Sequence, residues 1–425
     1  MRYGYRLLRG VYNVLFSIAI PLVYVAKLIR SRRNPDYRKG WKERFGHVPF
    51  ELSESIWVHA VSVGENIAIA PLVKRLRQKY PNCPIVVTMM TPTGRAQAMR
   101  LYQHDDHVYL CYCPYDITWF WRRFFKAIQP KLCAIVETEL WPNLLANCQK
   151  HHCPVVLLNG RLSHRSARAY SWIKFIIRRM LSSFDTICAQ NKSDAQRFIA
   201  LGAAYDSVMV TGNIKYDIQL DDTIIQQTKM AKDAKRFTWL AASTHPGEYT
   251  VLLQAHQMIL QQHPNALLVI VPRHPEQFQR VYETVSEYGL TVRRYTKGGR
   301  IETTKAQVLI GDVMGQLLHF YANCHTAFVG GSLVELGGHN VLEPAALGKP
   351  VLTGPYYFNF SKIVRHLKRA EGLYVVNNAQ DITQKVCEWI KQPQQCEKVG
   401  QNAYKVIAEN QGALEKQFQQ VEKHL

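Results

Sequence analysis

Carboxylates at the ends of apolar runs are the first residues in this 425-residue chain whose placement suits chemistry. Glu65 closes the string WVHAVSVGE, where a β-rich run meets a glycine and a helical pattern begins. Gly64 permits a tight turn there. A carboxylate at such a point either serves as an acid–base group facing open space or complements the positive end of the helix dipole, and spacing leaves both readings standing. Glu137 and Glu139 follow the run LCAIV. Strand alternation puts them on one side if the strand continues that far. One of the two then holds a raised pKa, or both cap the loop that continues as Trp141-Pro142-Asn143.

Two further loops suit an anion. Pro272-Arg273-His274-Pro275 follows ALLVIV, and a rigid loop carrying one arginine fits a phosphate or carboxylate. Gly330-Gly331-Ser332 and Gly337-Gly338-His339-Asn340 lead into Val341-Leu342-Glu343. That glycine density fits a backbone cradle and helix start for phosphate, with Glu343 on ribose hydroxyls; Asn340 and Glu343 also have the spacing of an ordinary capping box. Metal chemistry finds little support. Cys148, His151, His152 and Cys153 look like half a zinc knuckle with no second pair at a standard spacing, His104 to His107 sit in a polar loop before a strand, and no Asp-x-Asp pair occurs. The ten cysteines are scattered, several inside apolar runs, as buried small hydrophobes are.

The elements that must position these loops are strands alternating with helices, in two similar halves. IWVHAVS, IVVTMM, LCAIVE, PVVLLNG, TICAQN and VMVTGN fall in the first; FTWLAAS, ALLVIVP, QVLIGD, TAFVGGS and PVLTGP in the second. Continuous apolar strands separated by helices indicate parallel sheets covered on both faces. The halves open alike, since the segment from Trp57 to Glu65 is echoed from Trp239 to Glu248. The expected organisation is a membrane-anchor helix at 1–33, a Rossmann-like domain at 34–213, a polar linker at 214–233 and a second Rossmann-like domain with terminal helices at 234–425, with catalysis in the cleft at the strands' carboxyl ends.

Charge locates the partner. The net charge is +21, and residues 1–50 alone hold eleven Lys/Arg against two acids. Between Arg9 and Lys27 there is no charge and the run VYNVLFSIAIPLVYVA is apolar, with Arg2, Arg6, Arg9, Asn13 and Ser17 forming a polar stripe. The flank after it carries Lys27, Arg30, Arg32, Arg33, Arg38 and Lys39. A helix that spans the bilayer or lies in its interface fits, with the remainder cytoplasmic by the positive-inside rule. Basic-aromatic stretches at 119–126 and 161–179 suit an anionic bilayer or phosphorylated lipid, or are core helices with solvated faces. Nucleic acid is not the expected partner, because the basic residues do not spread over a central groove.

The strings WVHAVSVGE, TPTGR, ETELWPN, TGNIKYD, PRHPE and GGSLVELGGHNVLEP together resemble the 3-deoxy-D-manno-octulosonic acid (Kdo) transferases, over nearly the whole chain. The resemblance implies a GT-B glycosyltransferase: two Rossmann-like domains facing a central cleft, moving Kdo from CMP-Kdo to the primary hydroxyl of the lipid A precursor (lipid IV-A) in lipopolysaccharide assembly. The site would be the cytoplasmic face of a Gram-negative inner membrane. Carried over by position, Glu65 corresponds to the proton acceptor, and Glu137 and Lys215 to transition-state stabilisers. Pro272 and Arg273, Met314, Gly315 and Gln316, then Asn340, Val341, Leu342 and Glu343 match CMP-binding segments. Gln316 stands where related sequences often have Glu, a change that a contact made by backbone groups survives and one needing a carboxylate does not. No cofactor or metal is implied beyond the donor. A nucleotide-sugar epimerase of the same two-domain design, without lipid acceptor, is the competing activity, and a basic membrane scaffold the non-enzymatic one.

Overall fold

The computed structural model describes residues 2–32, 34–232 and 236–425. Met1, the flank residue Arg33, and residues 233–235, where the expected linker meets the second domain, lie outside the described residues. The chain forms two compact units, one of residues 1–217 with 411–425 and the other of 218–410.

In the first unit seven strands, β1 (Ser55–His59), β2 (Ile85–Met89), β3 (Val108–Tyr112), β4 (Pro130–Val136), β5 (Val155–Gly160), β6 (Thr186–Ala189) and β7 (Val208–Val210), form one sheet in the order β3-β2-β1-β4-β5-β6-β7. Every pairing is parallel. β1, β2 and β5 are buried at every position, which is why they read as unbroken apolar runs. Ile56 and Val58 pack under the helix Val63–Lys79 with Ile69 and Leu72, while Trp57 faces the other layer with Trp121, Phe124 and Phe125.

The second unit repeats the design with β8 (Thr238–Thr244), β9 (Leu267–Pro272), β10 (Val292–Arg294), β11 (Val308–Ile310), β12 (Thr326–Val329), β13 (Val351–Thr353) and β14 (Leu373–Val375), in the order β10-β11-β9-β8-β12-β13-β14 and again all parallel. β10 and β14 have no counterpart among the runs named from sequence. They are three-residue edge strands with partly exposed positions, too short and too polar to signal themselves. Each sheet reverses its winding between its first strand and the strand that crosses over, β1/β4 and β8/β12, and such switch points are where doubly wound sheets open a crevice for ligands.

Two boundaries differ from expectation. The stretch 214–233 is no plain linker: Ile214–Tyr216 is a 3-10 turn of the first unit, and Asp222–Lys232 is a helix of the second. The terminal helix Ala413–Glu422 returns to the first unit. Asp217 caps it by accepting the N–H groups of Gly412 and Leu414, at 2.6 and 2.7 Å. Buried Gln417 accepts the N–H of Asn159 at 3.0 Å, and Leu414, Phe418 and Val421 complete the core under β1.

Nine of the ten cysteines are buried and Cys83 is partly exposed, so they act as small hydrophobes. Cys148 and Cys153 belong to the core, and the His151 ring stacks on Phe125 at 5.0 Å. The basic-aromatic stretches divide. Trp121, Phe124, Phe125 and Ile177 are core, whereas Trp119, Trp172, Ile173 and Phe175 are exposed. The helix Arg2–Arg30 runs through Pro21, and its 4–30 portion, which holds an 18-residue window of mean hydropathy 1.8, is long and apolar enough to be a candidate membrane anchor.

Candidate active site

The loop after β1 is built around Glu65. Ser62 caps the helix Val63–Lys79, its Oγ accepting the Glu65 N–H at 3.3 Å and donating to Oε1 at 2.7 Å, while Oε2 accepts the Val61 N–H at 2.6 Å. This is a capping box displaced by one residue, because the returning carboxylate takes the N–H before the cap rather than the cap's own. Fully buried Asn66 pins the same loop through the Ala60 and Ser62 carbonyls. Glu65 is 9% exposed. Burial pushes its carboxyl up, against the Ser62 and Val61 hydrogen bonds, and Glu137 pushes the same way while Lys215 opposes. Capping and acid–base capacity, which spacing left as alternatives, therefore coexist in one side chain.

Gly64 corrects an expectation. It lies in the first helical turn without a left-handed φ, so no tight turn requires it. A Cβ there would meet nothing closer than the Ser62 Oγ at 4.0 Å. The nearest group to that missing Cβ beyond its chain neighbours is the Ser62 hydroxyl, which itself donates to the Glu65 carboxylate. Gly94 of TPTGR, in contrast, has an internal reason, since its Cβ would meet the Thr91 Oγ1 at 2.9 Å and the Val61 carbonyl at 3.3 Å. Arg95 is structural too, paired with Glu43 at 2.7 Å.

β4 ends at Val136, so alternation does not carry through Glu137 and Glu139. Glu137 instead takes a left-handed φ of 62°, a conformation that costs a non-glycine residue roughly 1–3 kcal/mol and recurs at functional sites. Its N–H still pairs with the Leu158 carbonyl at 2.9 Å, which holds the residue in place. The turn aims Oε1 at the Lys215 Nζ, 3.1 Å away. Lys215 arrives on the 3-10 turn after β7, whose start is capped by Asn213. Glu139 accepts the Trp141 indole N–H at 2.8 Å, and burial, then Glu65 and Glu137, push its carboxyl up to about 7. The sequence pattern pairs Glu139 with Glu137 and gives it no place in the site. A half-buried carboxyl shifted in this way is a candidate acid–base group.

The second unit carries the other cluster. Pro272 is buried at the end of β9 and Arg273 is exposed. Gly330-Gly331-Ser332 leaves β12 and is clamped by Glu248, whose fully buried carboxylate accepts four backbone N–H groups: His245 and Gly331 on Oε2 at 2.9 Å each, Ser332 and Leu333 on Oε1 at 3.1 and 3.0 Å. A Cβ on Gly330 would sit 2.8 Å from Oε2. Glu248 is thus the echo of Glu65, at the same turn after the first strand, spent on holding a loop. Only its place in the echoed string could have signalled it.

Asn340 accepts the Leu342 N–H at 3.1 Å and donates to the Glu343 carboxylate at 3.0 Å. The helix Leu342–Ala346 that follows has five residues and is capped at Val341, too short for its dipole to matter. The expected helix-start cradle is therefore a glycine loop with one asparagine. Burial pushes the Glu343 carboxyl up, while the Asn340 amide and Arg273 pull it down, so Arg273 acts on this cluster. Two histidines join it unexpectedly. His245 and His339 are stacked at 5.0 Å with their Nε2 atoms 2.8 Å apart, and His274 meets His245 edge-on at 5.4 Å. Burial first, then neighbouring imidazoles and Arg273, hold His339 down at about 4, so it is neutral at pH 7. Met314 and Gly315 are exposed after β11, Gly315 with φ 79°, and the Gln316 side chain makes no capping bond, so that turn offers backbone groups.

Residues 39–218 match the family described as 3-deoxy-D-manno-octulosonic-acid transferase, and residues 221–406 match glycosyl transferases group 1. A 3-deoxy-D-manno-octulosonic acid transferase of Haemophilus influenzae is 38% identical over 96% of this chain and 96% of its own. The chain belongs to the Kdo transferase family. A Kdo transferase of Bordetella pertussis is 33% identical over 84% of this chain and 85% of its own. Among solved structures, UDP-GlcNAc 2-epimerase from Neisseria meningitidis has a TM-score of 0.51 at 16% identity, covering 84% of this chain and 99% of its own; that likeness is one of fold, the GT-B class. Membership makes the chain a glycosyltransferase. Glu65, Glu137 and Lys215 converge in its first unit, and Arg273, Asn340 and Glu343 in its second.

Proposed function

We propose that this Kdo transferase moves Kdo from CMP-Kdo to the primary hydroxyl of lipid IV-A, inverting the anomeric carbon without a metal ion or cofactor. The reaction takes place at the cytoplasmic face of a Gram-negative inner membrane, in lipopolysaccharide core assembly. The observation that carries this reading is the Glu65 carboxyl, nearly buried and pushed up from its ordinary value, in the loop at the sheet's switch point. A base of that kind takes the proton of a sugar hydroxyl as its oxygen bonds to the anomeric carbon. The bond to the phosphate oxygen breaks with its electron pair leaving on CMP. CMP needs charge neutralisation rather than a proton, and Arg273 supplies it. Glu137 stabilises positive charge at the anomeric carbon. Lys215, its ion-pair partner at 3.1 Å, neutralises the donor carboxylate or phosphate.

The test is mass spectrometry of product from CMP-Kdo and a tetra-acylated lipid A precursor. Each transfer adds one Kdo mass, so the same spectrum counts the units added. Undiminished turnover in chelator and a single inverted anomer by NMR are expected. Release of CMP with no Kdo on the acceptor would refute the acceptor assignment.

A further inference from the structure

We infer that the N-terminal helix is an interfacial anchor, docked along the first unit by one side and laying its apolar side on an anionic bilayer, rather than a helix that crosses the bilayer. Length permits a crossing, since 27 apolar-rich residues exceed the roughly 20 that a span needs. The contacts exclude it. Partly buried positions, among them Tyr5, Asn13, Phe16, Val23 and Lys27, recur at helical spacing and end at buried Ser31. Tyr5 packs on the first unit's core, Phe16 lies edge-on to Tyr115 at 6.5 Å, Tyr24 meets Trp41 at 4.4 Å, and the Lys27 Nζ lies 5.1 Å from the Tyr115 ring. Midway, the Asn13 Oδ1 accepts the Thr118 N–H and the Asn143 amide, each at 3.1 Å. Asn143 is fully buried and bonded in turn to Asp116.

From Tyr5 to Lys27 the helix rises about 33 Å, as much as a hydrocarbon core is thick. A crossing helix would carry this whole contact line, its amide network and the domain behind it into lipid, or break them all. Docked and crossing are exclusive states. The other side of the helix shows what covers it. Leu7, Val11, Val14, Ile18, Leu22 and Ile29, a stripe at three-to-four spacing, are 50–72% exposed. No acid precedes Asp36, while Arg6, Arg30 and Arg32 are exposed. An apolar stripe with only positive charge around it is complementary to anionic lipid. Trp119, next to the Thr118 that holds Asn13, is 57% exposed with Arg122 and Arg123 both 5.8 Å from its ring, an interfacial aromatic of the usual kind.

The inference rests on the membrane reading for the bilayer's identity, but neither readout below involves transfer, so a failed acceptor assignment leaves it standing. Full-length protein with an epitope tag at each end is expressed, and sealed inner-membrane vesicles are treated with protease. Both tags are expected on the same side, and tags on opposite sides overturn the inference. In the second readout, purified full-length protein is sedimented with phosphatidylethanolamine–phosphatidylglycerol vesicles. The Ile18→Asp/Leu22→Asp variant is expected to bind them at least tenfold more weakly, with an unchanged melting curve. Equal binding to neutral phosphatidylcholine vesicles overturns the anionic partner. Stripe-dependent dimerisation with no vesicle binding overturns the bilayer in favour of a second copy of the chain.

Discussion

Replacing Glu248 by Gln tests the account of the second unit most directly. The carboxylate accepts two N–H groups on each oxygen, four in all, and is fully buried. Glutamine keeps the shape but turns one oxygen into an NH2 group. Whichever way the amide lies, two backbone donors then face a donor. Two charge-assisted hydrogen bonds are lost, at about 1.5–3 kcal/mol each, so the unit of residues 218–410 should lose about 3–6 kcal/mol. For a unit of this size each kcal/mol is worth roughly 2–4 °C, so its melting transition should fall on the order of 10 °C. Calorimetry on the full-length protein reads the fall. Hydrogen exchange localises it, because the amides of Gly331, Ser332 and Leu333 should lose protection ahead of β8 and β9. CMP affinity should weaken in step. A melting shift under about 2 °C with unchanged exchange at 331–333 would show that something other than this carboxylate holds the glycine loop.

Three further outcomes follow from the first unit. Glu65→Gln should lower kcat by roughly 10²–10⁴-fold while CMP binding persists, and in the parent enzyme the acid limb of the rate profile should lie above the ordinary carboxylate range, because burial raises this group; a variant with full activity ends its role as base. Gly64→Ala adds a methyl group whose nearest contact beyond its chain neighbours and helix backbone is the Ser62 Oγ at 4.0 Å, so stability should hold or rise by up to about 1 kcal/mol while transfer falls; loss of stability without loss of rate reverses the argument. Glu139, pushed up to about 7 by burial, binds a proton in the folded state that the unfolded chain releases near pH 4.5. Parent stability should therefore decline as pH rises from about 4.5 to about 7 and level off above, and Glu139→Gln should flatten that slope in urea titrations at several pH values.

Much of this protein is legible in its residue order. Strands buried on both faces must be continuously apolar, so β1, β2, β4, β5 and β8 announce themselves, and two runs of them separated by helices amount to two Rossmann-like units. Glu65, Glu137 and Arg273 were visible because the loops after strands are where ligands are met, and Lys215 only because its surrounding string matches a family. What stayed hidden depends on distance in space. The terminal helix returns to the first unit through Asp217 and Gln417, two polar residues whose partners are 195 and 258 positions away. His245 and His339, 94 residues apart, meet only because β8 and β12 are neighbours.

The sequence by itself determined the fold class, the family and an apolar, basic amino-terminal helix, because each of these is written in local patterns of side-chain type. Tertiary structure decided what individual groups do. It set Glu65 as both cap and buried acid, turned its echo Glu248 into the clamp of a glycine loop, raised Glu139 rather than merely pairing it with Glu137, and laid the first helix along its own domain through Asn13. A carboxylate's affinity for a proton, and the state of an amphipathic helix, are set by what surrounds them, and that environment is supplied by residues tens to hundreds of positions away.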